Sequence, residues 1–122
     1  MWDATLDTPQ NRKFVSAFEA KYKRTPSGYA ATAFDAANLL DTALRKVNGD
    51  TSNKAAFAAA VKAAGGEFTS VRGPFRFNNN NLPIQDYHAF EVRKEGGKVV
   101  VKQVGTPLPQ HQDAYHAQCA LK

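Results

Sequence analysis

The sequence predicts an α/β chain: three helices, then a broken extended segment, a β-hairpin and a short C-terminal helix. Three observations carry this. Apolar residues recur at helical spacing as far as Ala64. At Glu67 the Ala-rich texture gives way to β-prone residues broken by Gly, Pro and Asn. Finally, residues 87–93 and 98–104 flank Glu95, Gly96 and Gly97, the pattern of a hairpin with a tight glycine turn.

Thr8 and Pro9 start the first helix, since proline near the first helical position needs no amide partner. Phe14, Phe18 and Tyr22 recur at i, i+4 and i+8, with Val15 and Ala17 beside them, as an apolar stripe with charge opposite. Thr25, Pro26, Ser27 and Gly28 break it. The second helix is expected from Ser27 or Gly28 to about Val47. Its expected inner face is Ala33, Ala36, Ala37, Leu40, Ala43, Leu44 and Val47, and Asn48 and Gly49 end it in a left-handed cap. Thr51, Ser52 or Asn53 caps a third helix through Ala64. Phe57, Ala60, Val61 and Ala64 face inward, and Gly65 and Gly66 close it.

Residues 68–77 read as extended but interrupted by Gly73 and Pro74. The run of four asparagines from Asn78 to Asn81 reads as a turn. Val99, Val100 and Val101 do not alternate with polar residues, so both faces of that strand are expected to be partly covered. Thr106, Pro107, Leu108 and Pro109 read as a rigid link, and residues 112–120 as the final helix.

The chain has 122 residues, room for one ordinary domain, and 43% hydrophobic with 22% charged residues is a globular composition. No apolar run approaches the length that crosses a bilayer. The net charge of +5 raises a rival reading, a basic α+β module binding nucleic acid or an acidic partner. The basic residues are spread from Arg12 to Lys122, however, and spread charge reads as a solvated surface. Cys119 is the single cysteine, so no internal disulfide forms. Met1 to Asp7 lacks a basic segment followed by an apolar one and is not a leader peptide.

No reaction centre is expected. His111, Asp113, His116 and Cys119 crowd near the end, but on a helix His111 and His116 diverge by about 140°. Only His116 and Cys119 share a face, while zinc needs three or four converging ligands. A Cys-His enzyme using that pair is a second rival; no metal and no cofactor are expected. Neither glycine pair has the spacing or lysine of a phosphate loop. Tyr29 and Phe34 sit in the first turns of the second helix. There they either pack in the core or wall a cleft where an apolar ligand side chain is buried.

The run from Asp7, Thr8, Pro9, Gln10 and Asn11 through Phe18, Glu19, Ala20, Lys21 and Tyr22 to Pro26, Ser27, Gly28, Tyr29 resembles a known segment. With Phe34, Asp35, Ala36 it is similar to the late region of periplasmic solute-binding proteins of the Leu/Ile/Val-binding type. There a Pro-Ser step precedes a helix opening on a Tyr-Asp-Ala motif, in which Phe34 replaces the tyrosine. Ser70, Val71, Arg72, Gly73, Pro74 and Phe75 resemble the family's Gly-Pro-(x)-Phe segment. Residues 83–87 and 113–119 resemble a subgroup linked to branched-chain or aromatic carboxylates.

The resemblance implies the C-terminal portion of a two-lobed type I binding protein fold. Residues 1–72 would be the helical portion of one lobe. Residues 73–122 would be crossover segment, β-hairpin and tail, and both parts are incomplete. It implies the extracytoplasmic substrate-binding component of an ABC importer, not an enzyme, without a cofactor, that closes on a small carboxylate-bearing solute and delivers it to a membrane permease. Phe34, Tyr29 and Asp35 become candidate ligand-binding residues, and Arg72, Gly73 and Pro74 candidate hinge residues. A periplasmic location with a leader upstream, and a disulfide partner for Cys119 in chain beyond these residues, are implied too. The isolated segment is then expected to be marginally stable and to bind weakly.

Overall fold

The computed structural model describes residues 2–121. Three helices come first: α1 (Pro9–Tyr22), α2 (Gly28–Lys46) and α3 (Lys54–Ala64). Strands β1 (Phe75–Phe77), β2 (Pro83–Glu95) and β3 (Lys98–His111) follow as an antiparallel sheet in the order β1, β2, β3.

Each helix starts where a short polar side chain can serve a free amide. Thr8 Oγ1 accepts from Asn11 N–H at 3.1 Å, Ser27 Oγ from Ala30 N–H at 3.3 Å, and Asn53 Oδ1 from Ala56 N–H at 3.0 Å. Lys23 ends α1 in the left-handed region (φ 55°). Asn48 and Gly49 follow α2 at φ 51° and 79°, with Gly49 N–H returning to Leu44 C=O at 2.9 Å. Past α3, Gly65 lies against the Phe77 ring so closely that a Cβ there would come within 2.5 Å of Phe77 Cδ2.

Two small cores result. Trp2, Leu6, Phe14, Ala31 and Val71 form one, with Phe18 and Phe34 packed on it. Ala43, Ala60 and Ala64 form the other, flanked by Leu39, Val47, Phe57 and Val61. α2 contributes to both, but through only part of the face its periodicity predicts: of that set Ala43 is buried and Val47 packs on the second core. Ala33, Ala36, Ala37, Leu40 and Leu44 are exposed, whereas Ala31, Asp35 and Ala43 are buried. A helix that is apolar nearly all round offers more than one candidate stripe. The stripe used is the one that brings Asp35 to its partners.

Three expectations in the β half change. The strands run beyond residues 87–93 and 98–104, so the expected rigid link at Pro107 and Pro109 lies within β3. β3 is an edge strand, where missing amide donors are tolerated, and its register with β2 shifts between Gln85 and Phe90. The expected terminal helix over residues 112–120 is reduced to one 3₁₀ turn, His116–Gln118. The asparagine turn competes for this segment: Asn79 Nδ2 donates to His116 C=O and Asn80 Nδ2 to Asp113 Oδ2, both at 2.8 Å. The hairpin turn itself is as expected, with Gly96 and Gly97 at φ 56° and 79°.

Candidate functional site

An open cleft of about 840 Å³ lies between the start of α2, the loop that precedes α1 and the first residues of β3. Trp2, Asp3, Tyr29, Thr32, Arg72 and Val100 are among its lining residues. Tyr29, one residue into α2, is 91% exposed, so its ring is free to meet a ligand. Val99 and Val101, on either side of Val100, add apolar wall.

Behind the cleft, Asp35 is 2% exposed and fully engaged. Oδ2 accepts from Ser70 Oγ at 2.6 Å and from Arg72 Nε at 3.0 Å; Oδ1 accepts from Val71 N–H at 2.9 Å. Ser70 Oγ also accepts Arg72 N–H at 3.0 Å. A buried carboxylate is tolerable only when its lone pairs are satisfied and its charge is matched, and this turn supplies both. The Arg72 side chain remains 21% exposed. Its Cζ stands over the Phe75 ring, 5.3 Å from the centroid, within cation–π range.

The loop opposite is held from α1. Asn11 is fully buried; its Nδ2 donates to the C=O groups of Asp3, Ala4 and Leu6, and its Oδ1 accepts from Trp2 Nε1 at 2.6 Å. Asp3 Oδ1 is taken by the N–H and hydroxyl of Thr5.

Of the residues singled out in the sequence, the fold brings Asp35 and Arg72 into contact and sets Tyr29 and Arg72 on one cleft. Phe34 stacks in the core, 4.7 Å from Phe14 between ring centroids. Gly73, at φ 98°, completes a turn whose N–H reaches Ser70 C=O at 3.4 Å, and Pro74 is exposed beside it. Trp2, Asp3, Asn11 and Ser70 escaped the sequence reading. Asn11 carried a usable signal: it lies three residues before Phe14 and seven before Phe18, a polar side chain on an apolar stripe. At the other end of the chain, Cys119 is a free thiol, and no three His, Cys, Asp or Glu side chains converge among the described residues.

A cleft of this size with apolar walls, a few hydroxyls and a fixed cation is the architecture of a small-molecule binding protein. The family profile described as periplasmic binding protein matches residues 1–98, and the chain belongs to that family. Its members are extracytoplasmic solute-binding proteins and not enzymes. The chain is similar to a solute-binding protein of an ABC transporter from R. palustris, solved in complex with benzoate. Identity there is 35% and the TM-score 0.80, over 93% of this chain and 30% of that one. An ABC transporter substrate-binding protein from Sphaerobacter thermophilus is 25% identical with a TM-score of 0.77, covering 90% of this chain and 30% of that one. A solute-binding protein from Rhodopseudomonas palustris BisB5, in complex with 3,4-dihydroxybenzoic acid, shares the fold at 22% identity and a TM-score of 0.74, over 93% and 30%. The chain therefore spans about 30% of the length of these structures. No curated protein matches it.

Proposed function

We propose that this chain is part of the periplasmic substrate-binding component of an ABC importer, one that closes on an aromatic or branched-chain carboxylate and hands it to a membrane permease. The observation that carries this reading is the combination of 35% identity to a benzoate-bound receptor with a cleft on which exposed Tyr29 and Arg72 both open. Tyr29 contacts the solute directly. Phe34 and Asp35 serve it from behind, by backing the cleft wall and by anchoring the turn at residues 70–72. Arg72, Gly73 and Pro74 form a hinge, where the left-handed Gly73 gives backbone freedom that other residues lack. Closure is a population shift stabilised by ligand, with no bond made or broken. Cys119 pairs with a cysteine outside these residues.

The test is a thermal-shift panel on the intact protein with benzoate, 3,4-dihydroxybenzoate, leucine and phenylalanine. Ligand at about 100 times its Kd adds about 2.7 kcal/mol of stability and a clear rise in Tm. A flat response to every carboxylate, with a rise for a sugar or a cation instead, rejects this reading.

A further inference from the structure

We propose that Arg72 is the solute's carboxylate receptor, and that Asp35 is the positioning residue that aims it; this rests on the solute-binding reading above. A guanidinium has three sides: the Nε edge, the faces, and the edge that carries both Nη atoms. Here Asp35 Oδ2 accepts from Nε at 3.0 Å, and the guanidinium Cζ stands over the Phe75 ring, 5.3 Å from its centroid. The Nη1 and Nη2 edge makes no hydrogen bond to protein among the described residues, and the residue lines the cleft. That edge keeps two N–H groups in the parallel arrangement that matches the two oxygens of a carboxylate.

Holding the fork in advance matters, because a free arginine side chain gives up rotamer entropy on binding, and this one has already done so. Asp35 is itself fixed by Ser70 Oγ and Val71 N–H, so it acts as a rigid mount. Asp3, an acid on the cleft wall, is itself buried and has one oxygen occupied by Thr5. The remaining lining beside Arg72, including Tyr29, Val99 and Val101, suits an apolar or aromatic body. The site therefore takes a monocarboxylate whose other end is apolar, with its charge set at Arg72.

Isothermal titration of the intact protein with benzoate and with neutral benzamide tests this. The wild type should prefer benzoate by about 10- to 100-fold, the range of a charge-assisted pair. Arg72→Gln should remove that preference, because benzoate loses a charge-assisted pair whereas benzamide loses only a neutral acceptor's contact. Arg72→Lys, which keeps the charge without the fork, should retain part of it and covers the case in which Arg72→Gln does not fold. Asp35→Asn should reduce the benzoate-to-benzamide ratio, a readout that loss of stability alone does not move. A wild-type ratio near one, or full preference in a folded Arg72 variant, overturns the inference and leaves the solute-binding reading standing. Failure of the wild type to bind any carboxylate of the panel removes both.

Discussion

The indole N–H of Trp2 donates to Asn11 Oδ1 at 2.6 Å, joining the loop before α1 to the first turn of that helix. Asn11 spends its two amide protons on three carbonyls of the same loop. The cleft wall at Trp2 and Asp3 is thus held by one fully buried amide.

Asn11→Leu keeps the branched shape and deletes all these bonds, leaving the indole N–H and the loop carbonyls buried without partners. A loss of about 3 kcal/mol is expected, because unsatisfied buried groups cost more than a hydrogen bond contributes. The denaturant midpoint should fall with an unchanged slope. Tryptophan fluorescence reports it directly, since Trp2 is the only tryptophan.

Asp35→Ala removes a buried charge and strands Arg72, Ser70 and the Val71 amide together. Breaking one side of a buried pair costs about 3–5 kcal/mol. Ser70→Ala removes two bonds, the one to Asp35 and the one from Arg72 N–H, and should cost about 2 kcal/mol. Equal losses in the two variants, measured by urea unfolding, would show that Asp35 is not the centre of this turn.

Asp86 in β2 accepts from the Gln110 backbone N–H at 2.7 Å and from its side-chain amide at 3.0 Å. The backbone bond first, then the side-chain bond, holds the carboxyl below its ordinary value of 3.8, against a smaller opposing effect of burial. A lowered native value means that Asp86 stabilises the fold above the ordinary carboxylate range, and that this contribution is lost as pH falls through the lowered value. Asp86→Asn should therefore show a smaller drop in Tm than wild type between about pH 5 and about pH 2.5.

Gly65→Ala places a methyl 2.5 Å from the Phe77 ring carbon. Overpacking of this kind costs about 1–3 kcal/mol. Phe77→Leu in the same chain should recover part of the loss. Simple additivity of the two changes in a double-mutant cycle would place the cost elsewhere.

Helix ends were legible because capping is local chemistry: Thr8, Ser27 and Asn53 each act within three residues of themselves. The hairpin turn was legible for the same reason. The buried face of α2 was legible only at Ala43 and Val47, because alanines on several sides leave periodicity without a unique answer. Partners more than thirty positions away in sequence decided it, Ser70, Val71 and Arg72 meeting Asp35. The lining of the candidate cleft was legible only in part. Tyr29 and Arg72 were named, but Val99, Val100 and Val101 reach the cleft only through the pairing of β2 with β3, which no short-range pattern records.

Among the described residues β3 pairs with β2 alone, and Val99, Val101 and Val104 on it are exposed. Its two prolines deny the far half of the strand the amide donors that an incoming strand would need, so unwanted cross-seeding between molecules is confined to the valine-rich half. Val101→Lys should lengthen the lag before turbidity in concentrated samples. The valine stretch that walls the cleft thus doubles as an exposed seam along which copies could stack, and a lysine set into it burdens such stacking with a charge penalty.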